Sequence, residues 1–91
     1  MDGKILANPS TADTLRMILR DTLQIGERAK AMQPGSPLLG RVPELDSLAV
    51  ASVVTAIEER FHIVVDDDEI SAELFETFVT LTDFVHSKLR P

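Results

Sequence analysis

Apolar residues recur at helical spacing directly after the tripeptide Asp46-Ser47-Leu48. Their spacing of three and four residues predicts an amphipathic helix that begins near Ser47 and buries one stripe. The members of this stripe are Val50, Val53, Val54, Ile57 and Phe61. A serine at the start of such a helix lies at a defined corner of the fold, where its hydroxyl is accessible to another enzyme.

A second helix is predicted near the start of the chain. Ser10 and Asp13 form a capping-box pattern, and Gly26 is suited to the left-handed conformation beyond a helix end. The apolar stripe between them consists of Leu15, Ile18, Leu19 and Leu23. Arg16, Arg20 and Asp21 fall on the other faces of this helix, where we expect them to be solvated.

A last helix is predicted with Thr80 as its cap and Asp83 as its third residue, and a short helical turn is expected over residues 71–75. The apolar residues of the last helix are Leu81, Phe84, Val85 and Leu89. The four phenylalanines, Phe61, Phe75, Phe78 and Phe84, are expected in the core. The sequence therefore predicts an all-α fold, a four-helix bundle with three main helices and one short helix.

Residues 26–45 form a long connection between the first and second main helices and contain three prolines. Loops of this length are uncommon in compact domains unless they are functional or partly ordered. A helical turn is expected at residues 27–32. Four apolar side chains are predicted to hold the rest of the loop on the core, namely Leu38, Leu39, Val42 and Leu45. A loop held in this way presents Ser47 reproducibly.

The length of 91 residues predicts one domain over residues 1–91, with residues 1–9 flexible. Hydrophobic residues at 44% exclude a disordered chain, and the absence of cysteine excludes disulfides and thiol chemistry. No signal-peptide or membrane-spanning pattern is present, so a cytoplasmic protein is expected. The net charge of −6 disfavours nucleic acids and anionic membranes as partners and favours basic protein surfaces.

The sequence contains no pattern typical of a catalytic or metal centre. A nucleophile–base pair, a glycine-rich phosphate loop and an H-E-x-x-H motif are all missing. The acidic run Asp66-Asp67-Asp68-Glu69 lacks the spaced ligands of a calcium loop, and His62 and His86 lie far apart. We therefore expect no metal site and no catalysis by the chain itself.

Two segments resemble the acyl carrier protein family, Glu44-Leu45-Asp46-Ser47-Leu48 and the run from Ile57 to Ile63. The resemblance covers essentially the whole chain. It implies that Ser47 carries 4′-phosphopantetheine, transferred from coenzyme A by a phosphopantetheinyl transferase, with Asp46 and Leu48 as the flanking motif. The thiol of this cofactor would hold acyl groups as thioesters for delivery to partner enzymes. Independently of the resemblance, the positive end of a helix at Ser47 suits an attached phosphodiester.

The chain departs from the family pattern at Ala49 and Ser52, where acidic residues are common. The acidic residues that remain for basic partners are Glu44, Asp46, Glu58 and Glu59. Leu48 is either a further partner contact or a core residue. A helix surface with fewer acidic residues predicts a specialised carrier, in a lipid, polyketide or polysaccharide-linked pathway, rather than the general carrier of fatty acid biosynthesis.

Two alternatives stay open at this level. The bundle could be an unmodified helical interaction module in which Ser47 is only a helix cap, or a peptidyl or aminoacyl carrier. Modification of Ser47 distinguishes the first alternative from a carrier. A monomer is expected, because no apolar stripe is left over for self-association.

Overall fold

The computed structural model describes residues 10–89, which form four α-helices. These are α1 (Thr11–Leu23), α2 (Glu27–Lys30), α3 (Ser47–Phe61) and α4 (Phe78–Leu89), with a 3-10 turn at Asp67–Glu69. Over this range the β-type pairing is limited to an isolated bridge between Pro37 and Thr77. The predicted all-α class and helical bundle are confirmed. The predicted flexibility of residues 1–9 lies outside the described residues.

The core is built around α1, which packs against each of the other three helices. Its predicted stripe is buried throughout, and so are three of the five stripe residues of α3, Val53, Val54 and Ile57. Phe75 and Phe78 are fully enclosed, whereas Phe61 and Phe84 are partly buried against the core. In the described part of the chain, no helix is both long and apolar enough to cross a membrane.

Helix α1 begins as predicted but ends earlier. The Ser10 hydroxyl accepts a hydrogen bond from the Asp13 amide at 3.1 Å. The left-handed residue after the helix is Gln24, with φ of 56°, and not Gly26. The turn at Gln24 lets Ile25 enter the core, where its side chain is buried. Gly26, which also has a positive φ, precedes α2 instead.

Helix α4 begins at Phe78, three residues before the start that follows from Thr80 as the predicted cap. Its cap is a reciprocal pair of threonines: the Thr77 hydroxyl accepts from the Thr80 amide at 3.2 Å, and the Thr80 hydroxyl accepts from the Thr77 amide at 3.1 Å. The prediction of Thr80 as cap, with Asp83 in the third position, is therefore wrong. Burial of Phe78 explains the longer helix, because the earlier start places its ring in the core.

The short helix of the bundle is α2, which confirms the helical turn expected within residues 27–32. Residues 71–75, where a short helical turn was predicted, do not form a regular helix. They form successive tight turns, in which the amides of Leu74, Phe75 and Glu76 each donate to the carbonyl three residues earlier. Burial of Leu74 and Phe75 holds these turns on the core without helical continuation.

The long loop before α3 is attached to α4 by backbone hydrogen bonds. The Phe78 and Val79 amides donate to the carbonyls of Ser36 and Pro34, at 2.9 and 2.7 Å. In the opposite direction, the Leu38 and Leu39 amides donate to the Glu76 and Phe75 carbonyls at 3.0 and 2.9 Å. We call this pairing of residues 34–39 with residues 75–79 the loop strap. It provides acceptors for amides at the start of α4 that have no partner within the helix.

Side-chain anchors add to the loop strap, although not all the predicted ones take part. Leu38 and Leu45 are buried, and Val42 is partly buried against the core. Leu39 is 42% exposed, so its predicted role as an anchor is wrong. Adjacent residues of an extended segment point to opposite sides, and burial of Leu38 turns Leu39 outward.

Arg16 is a loop anchor that the sequence analysis assigned to solvent. Its Nε and one terminal nitrogen donate to the Met32 carbonyl at 3.1 and 2.9 Å, and its other terminal nitrogen lies 2.9 Å from the Asp13 carboxylate. The guanidinium also lies 5.0 Å from the centre of the Phe78 ring. One side chain therefore joins α1 to the start of the loop and to α4.

Replacing Arg16 with alanine is expected to lower the free energy of unfolding by about 1.5–3 kcal/mol, because two charge-assisted hydrogen bonds are lost and a carbonyl loses its partner. Arg20 is the matched control: it lies one turn later on α1, and among the described residues its ion pair is with the adjacent Asp21. Arg20→Ala should change the stability by less than about 0.5 kcal/mol. Urea unfolding of both variants measures the difference, and equal losses would show that Arg16 is not an anchor.

Candidate functional site

Ser47 is the first residue of α3, and Asp46 determines where that helix begins. Asp46 has an extended backbone, and its Oδ1 accepts a hydrogen bond from the Ala49 amide at 2.8 Å. Its carbonyl accepts the first hydrogen bond of the helix, from the Val50 amide at 2.8 Å. The Ser47 side chain is exposed. A helix start fixed by its cap thus places an accessible hydroxyl at the positive end of the α3 dipole.

An open cleft lies beside Ser47, between α3 and the turns that precede α4. Its volume is about 340 Å³. Besides Ser47, the lining residues are Leu39, Val50, Ile70, Ser71, Ala72 and Phe75. None of these side chains is titratable, so the cleft itself offers no general base to a serine hydroxyl.

Leu48 follows Ser47 and is 81% exposed, which removes the core-packing alternative for this residue. An apolar side chain left in water next to an accessible hydroxyl is available to a partner surface, although single exposed leucines are common. A partner contact at Leu48 stays a prediction.

The acidic residues predicted to bind partners do not form one surface around Ser47. Glu44 lies close in sequence, but its carboxylate is paired with Arg28 of α2. The hydrogen bond from Arg28 lowers the pKa of the Glu44 carboxyl. This ion pair connects α2 to the residues just before α3 and partly neutralises Glu44.

Glu58 and Glu59 lie near the other end of α3. At 1.5 Å per residue, they are about 17 Å from Ser47 along the helix axis. The Glu58 carboxylate accepts a hydrogen bond from the Val65 amide at 2.9 Å, so it also holds the chain that leaves the helix. Glu59 is exposed. Of the predicted acidic contacts, only Glu44 and Asp46 lie close to Ser47 in the fold.

The structure brings three residues near Ser47 that were not predicted as site residues: Leu39, expected only as a loop anchor, and Glu73 and Glu76, which were given no role. Leu39 and Ala72 line the cleft beside Ser47 and also a second, adjoining cleft, whose other lining residues are Glu73 and Glu76. The proximity of these three residues to Ser47 depends on the loop strap, a long-range pairing for which the sequence has no periodic signal.

The acidic run at residues 66–69 is a structural turn. Asp66 and Glu69 cap it reciprocally, and the Glu69 carboxylate lies 2.7 Å from the Lys88 ammonium of α4. This hydrogen bond from Lys88 lowers the pKa of the Glu69 carboxyl. His62 occupies the left-handed position after α3, with φ of 58°. Within residues 10–89, no three potential metal-ligating side chains cluster together.

Comparison with known proteins identifies the family. No family model matches the chain, and no curated protein matches it. Among solved structures, the chain is similar to the solution NMR structure of a holo acyl carrier protein from Nitrosomonas europaea. The two share 51% sequence identity with a TM-score of 0.83, and the match covers 89% of this chain and 98% of the other.

The chain therefore belongs to the acyl carrier protein family, at an identity and coverage that extend over nearly the whole of the matched carrier. The family and the helical fold predicted from the sequence are confirmed. The matched protein was solved in its holo form.

Asp46→Ala should destabilise the protein by about 1 kcal/mol, because the Ala49 amide loses its acceptor at the start of α3. Asp46→Asn is the matched variant, since asparagine caps helices about as well as aspartate without the charge. Urea unfolding should show a loss for alanine and little change for asparagine. Equal losses in both variants would mean that the charge, and not the cap, determines the contribution of Asp46.

Proposed function

We propose that Ser47 is the attachment residue for 4′-phosphopantetheine and that the chain is a carrier rather than an enzyme. The observation that supports this most directly is the exposed Ser47 hydroxyl at the capped start of α3, in a chain 51% identical to a holo acyl carrier protein. When bound, the cofactor supplies a thiol that holds acyl groups as thioesters.

The residues at the start of α3 fit a covalently attached phosphodiester. Ser47 is exposed, so a bulky group on its oxygen does not displace the core. The amides and dipole at the N-terminal end of the 15-residue helix stabilise negative charge. The Asp46 carboxylate is held by the Ala49 amide, which keeps the helix start in place beside the attached group.

The structure also supports separate roles for the chain, which supplies the nucleophile, and for its modifying enzyme, which supplies the base. Ser47 supplies the oxygen nucleophile, and the cleft beside it contains no titratable side chain to remove the proton. A phosphopantetheinyl transferase, acting on coenzyme A, must therefore bring its own base. Acyl-loading and acyl-accepting enzymes with basic docking surfaces complete the expected set of partners.

Intact-protein mass spectrometry after incubation with coenzyme A, magnesium and a broad-specificity phosphopantetheinyl transferase tests the attachment. We expect the wild type to gain one phosphopantetheine and Ser47→Ala to gain none. Ser71→Ala is the matched control, because Ser71 is the other hydroxyl that lines the same cleft. It should be modified like the wild type.

If the folded wild type gains no mass, the chain is an unmodified interaction module instead. If Ser47→Ala is still modified and Ser71→Ala is not, the attachment residue is Ser71. A peptidyl or aminoacyl carrier is distinguished afterwards, by which class of ligase loads the holo protein.

We further propose a specialised pathway for the carrier, in lipid, polyketide or polysaccharide-linked synthesis. The exposed face of α3 after Leu48 supports this, because Ala51, Ser52 and Thr55 present no charge to a basic partner. Partners selected for an acidic helix face should bind such a surface poorly. The cytoplasmic location and the monomeric state stay predictions.

The specialised role predicts that the holo protein supports a reconstituted general fatty acid elongation system at a rate at least about tenfold below that of a general carrier, as expected when charged contacts are missing. Product formation per minute, at equal holo-protein concentration, measures it. Elongation at the rate of the general carrier would contradict the specialised assignment.

A further inference from the structure

The negative charge of the chain is concentrated in its second half. Residues 46–89 contain ten acidic and two basic side chains, whereas residues 10–45 contain four acidic and five basic ones. Moreover, each of the four acidic residues in residues 10–45 has a basic partner: Asp13–Arg16, Asp21–Arg20, Glu27–Lys30 and Glu44–Arg28. Within the part of the chain that the structure describes, the surface that attracts a basic protein therefore comes from residues 46–89.

Only part of that acidic surface lies near Ser47. Glu58, Glu59 and the start of the acidic run lie towards the far end of α3, where the Val65 amide binds Glu58. Glu73 and Glu76 are different, because their cleft shares Leu39 and Ala72 with the cleft that contains Ser47. Both carboxylates are exposed. They form the acidic edge of a surface that is continuous with the proposed attachment site.

The turns that carry Glu73 and Glu76 are held against the loop before α3 by backbone hydrogen bonds. The loop strap joins Leu38 and Leu39 to the Glu76 and Phe75 carbonyls. The Thr80 hydroxyl donates to the Leu74 carbonyl at 3.0 Å, which holds the same turns from the side of α4. A charged surface built on fixed backbone loses little entropy when a partner binds.

An apolar contact accompanies the two carboxylates. Leu39 lies between the two clefts and is 42% exposed, and Leu48 projects next to Ser47. Acidic residues at the rim of an apolar contact match a partner surface in which lysine or arginine surrounds an apolar side chain. The exposed face of α3 beyond Leu48 has no such combination near Ser47.

We propose that Leu39, Glu73 and Glu76, which we call the acidic platform, form the docking surface for a basic surface of the enzyme that modifies Ser47. This proposal rests on the proposed function of Ser47. In this proposal the modifying enzyme recognises the turns before α4 and the loop strap, which lie on the side of the cleft opposite α3. The carboxylates steer the approach of the enzyme, and Leu39 supplies an apolar contact once it has docked.

Modification kinetics with the phosphopantetheinyl transferase test the proposal. The double variant Glu73→Lys/Glu76→Lys should raise the KM for the carrier by at least about tenfold at low ionic strength, with little change in kcat. Added salt should shrink the difference from the wild type, because it screens exposed charges. Circular dichroism and urea unfolding confirm that the variant is folded.

The matched control is Asp67→Lys/Asp68→Lys, which changes the net charge by the same amount within the acidic run. Its KM should stay within about threefold of the wild-type value, because only the effect of net charge on the rate of encounter is then changed. Equal increases in the two double variants would overturn the proposal, since only total charge would then matter. An unchanged KM in the Glu73/Glu76 variant would overturn it as well.

The apolar contact has its own control. Leu39→Ala should raise KM by about threefold or more, the effect of removing an apolar contact from a docking surface. Val64→Ala, at another exposed apolar side chain, should leave it unchanged. Equal effects would remove Leu39 from the platform. Failure of the proposed function is distinguishable, because the wild type would then gain no phosphopantetheine at any carrier concentration.

Discussion

The loop strap is the constraint on which the position of Ser47 depends. The connection between α2 and α3 is long, and ordering a long loop costs about 1–2 kcal/mol of backbone entropy per residue. Four hydrogen bonds to residues 75–79 and the Arg16 contact with Met32 offset part of that cost. The loop carbonyls in turn give partners to the first amides of α4. Loop and helix start therefore stabilise each other, and Asp46 begins α3 at a fixed place.

The parts of the fold that could be predicted from the sequence are those determined by local patterns. The α1 stripe, the Ser10 cap and the start of α3 after Asp46 all depend on residues within one or two helical turns. The predictions that failed depended on distant contacts. Thr77 and Thr80 cap α4 together because Phe78 belongs in the core, and Arg16 is withdrawn from solvent because the Met32 carbonyl lies beside it.

The candidate site likewise has one part that a local motif predicts and another part that depends on distant contacts. Ser47 and Asp46 could be selected from one short motif, and the family that the motif resembles is confirmed by the match to a holo carrier. The surroundings of Ser47 could not be selected, because Leu39, Glu73 and Glu76 meet only across the loop strap. From the sequence alone, Glu44 and Glu58 were expected to be available to partners. In the structure, however, Glu44 pairs with Arg28 and Glu58 accepts a hydrogen bond from the Val65 amide, so both have structural roles.

Amide hydrogen exchange followed by NMR tests most directly whether the loop strap holds the region around Ser47. We expect the amides of Leu38, Leu39, Phe78 and Val79, all donors in the strap, to exchange as slowly as buried amides of α3 such as that of Ile57. If these four amides exchange at the rate of an unstructured chain while Ile57 stays protected, the loop is not held by α4. The position of Ser47 would then depend on the Asp46 cap alone.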